Sequence, residues 1–198
     1  MKKILTTLIA VGCVLTAAIA QDLPTPPLPA TSAPVADEAI SKGNWLVGGS
    51  IASTGFNFST DTYNLLINPK AGYFAGENLA IGTELILGLT VFDGGTNFQY
   101  GITPFARYYY TQGGGPSGRI FQEMTFGIAG SSIKDNEGDE PVSLLVGIRG
   151  GYAHFVARNV AIEGILGYTY TKADIGTSTG AGGLGLSLGL QIYLPGRE

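Results

Sequence analysis

From Asn44 onward one signal recurs along the chain. Apolar residues alternate with small or polar ones, and turn residues interrupt the alternation at intervals. The clearest run is the last. Leu184, Leu186, Leu188, Leu190, Ile192 and Leu194 fall on one side, and Gly185, Ser187, Gly189, Gln191 and Tyr193 on the other. A period of two is that of a β-strand, whose successive side chains point to opposite faces. In 79–92, Leu79, Ile81, Leu85, Leu87, Leu89 and Val91 oppose Ala80, Gly82, Glu84, Gly88 and Thr90. In 160–172, Val160, Ile162, Leu166, Tyr168 and Tyr170 oppose Ala161, Glu163, Gly167, Thr169 and Thr171. The pattern predicts strands at 44–54, 62–73, 79–92, 99–110, 119–133, 142–154, 160–172 and 182–194.

An internal repeat supports the hairpin spacing. Ile67-Asn-Pro-Lys-Ala-Gly-Tyr-Phe74 is echoed by Ile102-Thr-Pro-Phe-Ala-Arg-Tyr-Tyr109 and by Val146-Gly-Ile-Arg-Gly-Gly-Tyr-Ala153. Pro69 and Pro104 count against strands, since proline cannot donate to a ladder. The reading places them near strand ends, on the apolar face.

Eight amphipathic strands can form a soluble sandwich, with the leucine face as core, or a membrane barrel, with that face toward lipid. The opposite face decides. A solvated face is crowded with Lys, Glu and Thr, whereas this one is mostly Gly, Ala and Ser. Small residues suit the interior of an eight-stranded barrel, which has room only for packed side chains. A lipocalin-like barrel has the opposite polarity, with its apolar side inward. Trp45, Tyr73, Tyr108, Tyr152 and Phe155 lie near one end of their strands, and Tyr63, Phe92, Tyr100, Tyr168 and Tyr170 near the other. Two aromatic girdles around an aliphatic band are the mark of a transmembrane barrel.

Composition agrees. The chain is 44% hydrophobic and 13% charged, with 31 glycines; an ordinary soluble domain is about a quarter charged. A net charge of −4 gives nucleic-acid binding no electrostatic support. Residues 1–20 read as a secretory signal peptide: Lys2-Lys3, an apolar run from Ile4, and the small-x-small site Ala18-Ile-Ala20. Lipidation at Cys13, the only cysteine, is the alternative processing. Residues 21–43 are rich in Pro, Ala and Thr and read as a flexible periplasmic linker. The barrel is expected over 44–194, with a short tail at 195–198.

The inner face carries the most specific constellation. Lys70 and Glu84 flank the turn at Glu77, Arg107 and Glu123 flank Gly115, and Arg149 and Glu163 flank Val156, at near-equal spacing. Antiparallel pairing would set each cation beside a carboxylate, roughly 15 Å above the turns and near the membrane midplane. Charges at that depth must face inward and be paired. The constellation reads either as a static plug or as a gated ion path.

Other motifs fail their context. Gly180-Ala-Gly-Gly-Leu-Gly185 matches a dinucleotide fingerprint but precedes a strand. Asp135-Asn-Glu-Gly-Asp-Glu140 misses the EF-hand spacing. His154, the only histidine, has no obvious catalytic partners. No catalytic, metal or cofactor site is predicted.

The signal peptide, the alternating strands, the Pro-x-x-Gly-Tyr-Phe hairpin and the closing strand together resemble the small bacterial outer-membrane β-barrels of the OmpA/OmpX type, over about 44–194. Ser187-x-Gly189-x-x-Ile192-x-Leu194 is similar to the C-terminal assembly signal of such barrels, departing from it in the final leucine and the Pro-Gly-Arg-Glu that follows. The resemblance implies an all-β, eight-stranded antiparallel up-and-down transmembrane barrel in the outer membrane. Its partners would be outer-membrane lipid and, during biogenesis, the barrel-insertion machinery. Its expected role is structural and non-enzymatic. A narrow pore and a lipid-modifying enzyme centred on His154 are the alternatives.

Overall fold

The computed structural model describes residues 34–58, 60–112, 117–133, 142–173 and 180–196. The predicted signal peptide, Cys13, linker residues 21–33 and the acidic loop 135–140 lie outside these. A short helix α1 (Pro34–Ala39) precedes eight strands: β1 (Trp45–Asn57), β2 (Thr62–Gly76), β3 (Leu79–Phe92), β4 (Gly95–Tyr110), β5 (Gly118–Ile133), β6 (Val142–Ala157), β7 (Val160–Ala173) and β8 (Gly180–Leu194). Each strand pairs antiparallel with the next, and β8 returns to β1, so the sheet is a closed up-and-down barrel. This is the predicted fold class.

The turns follow from local chemistry. At one end β2–β3 and β6–β7 are joined by Glu77-Asn78 and Arg158-Asn159, each behind a bulge that carries the strand further than the sequence pattern suggests. Asn78 accepts a left-handed conformation there, at φ 65°, which asparagine tolerates better than most residues. At the other end Asp93-Gly94 closes β3–β4, with Gly94 at φ 91°. The end where β1 begins and β8 finishes is called here the terminal end, and the opposite one the loop end.

Burial follows the alternation. In β3, Ala80, Glu84 and Gly88 are buried in the lumen while Leu79, Ile81, Leu85, Leu89 and Val91 are exposed outside. Met124, Phe126, Ile148, Leu166 and Leu190 continue the exposed apolar face around the barrel. Trp45, Tyr73, Tyr108 and Tyr152 border it at the terminal end, and Tyr63, Phe92, Tyr100, Tyr168 and Tyr170 at the loop end.

Three expectations are corrected. Phe155 is not in the outer girdle: it is buried in the lumen against Tyr193, with ring centroids 5.1 Å apart. Pro69 and Pro104 lie well inside β2 and β4. The ladder skips there, between Ile67↔Leu87 and Lys70↔Glu84 and between Ile102↔Ile128 and Phe105↔Thr125, and resumes in register beyond; a missing N–H on one side is bridged by intact pairing around it. Finally, residues 34–43 are not linker. Helix α1 buries Ala36, Ala39 and Ile40. Asn44 Nδ2 donates to the carbonyls of Glu38 and Ala39 (2.7 and 3.2 Å), satisfying acceptors that a helix C-terminus leaves open. Gly43, at φ 95°, then turns the chain into β1 while its N–H bonds Phe74 O.

Candidate functional site

The lumen is built in three layers. At the terminal end α1 closes the mouth. The Asn78 N–H donates to Ile40 O at 3.2 Å, and Arg119 Nη2 meets Asp37 Oδ1 at 2.6 Å. Above it lies an aromatic layer of Phe74, Tyr109, Phe121, Phe155 and Tyr193, with Phe105 beside it. The Tyr109 and Tyr193 hydroxyls are 2.9 Å apart. Glycines make room for these rings. A Cβ on Gly82 would collide with Ala71 O and lie 2.8 Å from Phe105, and one on Gly151 would collide with Phe121.

The third layer holds all six predicted lumen charges. Lys70 and Glu84 are register partners and meet at 2.9 Å. Arg107 and Glu123 are also partners, at 2.8 Å. Arg149 and Glu163 are not brought together. The β6–β7 turn sits at Arg158-Asn159 rather than at Val156, so Arg149 lies opposite Gly167 and Glu163 opposite Ala153. Glu163 finds its partner across the lumen, and Arg149 finds one across the lumen and one beside it, its register partner Glu123 on β5. Arg149 Nη2 reaches Glu84 Oε1 at 2.7 Å and its Nη1 reaches Glu123 Oε1 at 3.2 Å, while Arg107 Nη1 reaches Glu163 Oε1 at 2.6 Å. Lys70 also crosses, to Glu123 at 2.9 Å. The six charges expected as three separate hairpin pairs thus form one connected network, with two of those pairs in it.

The network is electrically neutral, with three cations and three carboxylates, and every carboxylate oxygen of Glu84, Glu123 and Glu163 has a partner in it. Gln191 Nε2 donates to Glu163 Oε2 at 3.3 Å. The cations also rest on the aromatic layer: Lys70 Nζ lies 4.9 Å from the Phe105 centroid and the Arg107 guanidinium 4.0 Å from that of Phe121. Side chains of five of the six charges have no solvent exposure; Arg149 alone, at 14%, looks into the space above. Burial this deep requires such pairing, because an isolated ion would cost several kcal/mol. The arrangement spans the lumen at this level.

Above the charges, toward the loop end, the lumen opens into a cavity of about 690 Å³. Leu66, Ile86, Leu145 and Ile165 line it beside Asn68, Thr103 and Thr125. Neither this cavity nor the aromatic layer was anticipated. The layer had a signal, since Phe74, Tyr109 and Phe155 occupy the inward parity of strands whose outward parity is also aromatic.

The proposed assembly residues divide between faces. Ser187 lines the cavity and Gly189 packs near Glu163, whereas Ile192 and Leu194 face outward opposite Val47 and Trp45. His154 also faces outward, stacked on Tyr152 with centroids 6.3 Å apart. Among the described residues no group of His, Cys, Asp and Glu side chains is arranged to hold a metal ion, and no helix is long and apolar enough to cross a membrane.

No protein-family model and no curated protein sequence matches the chain. Solved structures do. The chain is similar to the neisserial surface protein NspA, with 18% identity, 76% of this chain and 97% of that one covered, and a TM-score of 0.53. It is also similar to the outer-membrane protein Ail of Yersinia pestis (16% identity, 76% and 98% covered, TM-score 0.49). A third is the N-terminal β-barrel domain of Pseudomonas aeruginosa OprF (13%, 77% and 98%, 0.48). At 18% identity the likeness to NspA is one of fold: the chain has the architecture of a small eight-stranded antiparallel β-barrel, as its resemblance to OmpA/OmpX-type proteins implied.

Proposed function

We propose that this protein is a non-enzymatic barrel of the bacterial outer membrane, exported by a signal peptide at residues 1–20, whose plugged lumen gives it a structural role in the envelope. The exposed exterior supports the membrane reading. Contiguous apolar patches on soluble monomers rarely exceed a few hundred Å², whereas here the apolar face passes around the barrel between two sets of aromatics. The terminal end would then face the periplasm and the loop end the cell exterior. The C-terminal residues Ser187, Gly189, Ile192 and Leu194 would be read by the insertion machinery during assembly.

The buried charge network carries the structural reading. Six ionised side chains on six strands, β2 to β7, are tied across the lumen. A conduit would have to break several of these bonds and then pass the aromatic layer and α1.

Two measurements test the proposal. A folded membrane barrel shifts its gel mobility on heating, and solubility without detergent together with no heat-dependent shift refutes the membrane reading. In planar bilayers the purified protein should show no steady conductance, and sustained openings refute the plug.

A further inference from the structure

We infer that the loop half of the barrel is a chamber for a single-chain amphiphile that enters sideways from the membrane, through a gap between β1 and β8. The inference rests on the membrane reading above and goes beyond the structural role.

The first observation is the barrel seam. Pairing of β1 with β8 runs from Trp45↔Leu194 to Ile51↔Leu188 and stops. Above that point β1 bulges between Ile51 and Ser53 and pairs with β2 alone as far as Phe56, while Gly180–Ser187 of β8 pairs with β7 alone. By contrast β3–β4 pairs from Leu79↔Tyr108 to Phe92↔Gly95. The unpaired edges begin near the level of the charge network and reach the loop end. Strand edges cannot face acyl chains unsatisfied, because each bare N–H or C=O there costs several kcal/mol. They are tolerated where they line a water-reaching space, and the 690 Å³ cavity lies directly behind: Ala52 and residues 181–187 form part of its wall.

The second observation is the chemistry of the gap. Its β8 side is Gly180-Ala-Gly-Gly-Leu-Gly, almost without side chains. A Cβ on Gly183 or Gly185, both of inward parity, would meet nothing within 4 Å. Outside, Leu184, Leu186 and Leu188 are 70–78% exposed, more than any other leucine described. At the foot of the gap a groove of about 430 Å³ runs along the exterior, its floor at Gly49 and its sides formed by Ile51, Ile67, Ile162, Leu188 and Leu190. A lipid-phase chain lying in this groove is led to the gap.

The third observation is the chamber's polarity. Its walls are aliphatic at Leu66, Ile86, Leu145 and Ile165, and its floor is polar. Asn68 is 8% exposed and lines the cavity, and its Oδ1 has no protein hydrogen-bond partner. Arg149 is the network charge that looks upward. A head group that both donates to Asn68 Oδ1 and accepts from Arg149 fits this floor, as a carboxylic acid or hydroxyl does, with one alkyl chain against the walls.

The test uses the full mature protein refolded in phospholipid nanodiscs carrying lauric acid. Seam-facing amides of 52–56 and 181–187 should exchange about 100-fold faster than those of 188–194, as locally open segments do. NMR signals of Asn68, Thr103 and Thr125 should shift with lauric acid content. Gly185→Trp should weaken that response about 10-fold and leave protection of 188–194 unchanged. Gly183→Leu is the milder second variant. A seam as protected as 188–194, whether by continued pairing or by a second copy of the chain, overturns the inference, as does a Gly185→Trp protein that responds like the parent. A chain that does not insert overturns the membrane reading as well, so the two failures are distinct.

Discussion

Glu123 is the hub of the lumen network, and its neutralisation gives the sharpest test of how the barrel is held shut. Its carboxylate meets Lys70 at 2.9 Å, Arg107 at 2.8 Å and Arg149 at 3.2 Å, with no exposure to solvent. Glu123→Gln keeps the side chain's size and removes one negative charge, leaving three cations facing two carboxylates. Breaking a buried ion pair from one side costs about 3–5 kcal/mol, because a charge is left buried without compensation. With a urea slope of about 2 kcal/mol/M, the unfolding midpoint in phospholipid vesicles should fall by roughly 1.5–2.5 M. Trp45, the only tryptophan, lies on the exterior beside Tyr73 and reports the transition by fluorescence.

Adding Lys70→Met restores neutrality, with Arg107 and Arg149 facing Glu84 and Glu163. The double variant should therefore lose less than the sum of the two single losses, by about 1–3 kcal/mol. A Glu123→Gln protein within about 1 kcal/mol of the parent, or strictly additive losses, would refute the claim that these charges are dry and mutually dependent. The lumen would then be wet enough to screen them.

Two further substitutions test the exterior and the packing. Met124 is adjacent to Glu123 but faces outward, 62% exposed; Met124→Arg should cost about 2–4 kcal/mol in a bilayer if that face meets lipid at mid-depth. On a soluble surface the same change would stay within about 0.5 kcal/mol, so vesicle unfolding curves separate the two. Gly167 lies opposite Arg149, and a Cβ there would sit 2.7 Å from Arg149 Cγ; Gly167→Val should destabilise by about 1–3 kcal/mol through overpacking. Gly183→Val, where a Cβ meets nothing within 4 Å, is the matched control, and equal losses at the two sites would refute the packing argument.

The strands were legible because closing the sheet imposes the same two-residue period on each of them. Leu79 to Val91 and Leu184 to Leu194 face outward as the alternation says. Helix α1 was not legible. Six residues, Pro34–Ala39, are too few to show a helical period, and a segment this short is helical only through its tertiary contacts. The contacts with Arg119 and Asn78 come from distant parts of the chain, and only the Asn44 cap is local. The short β1–β8 seam is likewise a relation between the first strand and the last, and neither strand's own pattern encodes it.

The charges show where the boundary falls. Lys70 pairs with Glu84 as read because a hairpin's register follows from its turn, and the turn at Glu77-Asn78 was located correctly. For β6–β7 the bulge at Phe155/Ala157 carries the strand on to a turn two residues later than expected. A turn moved by two residues shifts the opposing residue by four, which places Gly167 rather than Glu163 across from Arg149. The cross-lumen bonds obey a different geometry. Lys70 on β2 reaches Glu123 on β5, Glu84 on β3 meets Arg149 on β6, and Arg107 on β4 reaches Glu163 on β7. Each spans three strands, close to a diameter of an eight-stranded barrel. Barrel closure therefore holds all six charges, and for all but Glu163 an ion pair to the neighbouring strand adds to it. That is why Glu163, which lost its expected neighbour, is still paired, and why neutralising one carboxylate should be felt on strands far from it in sequence.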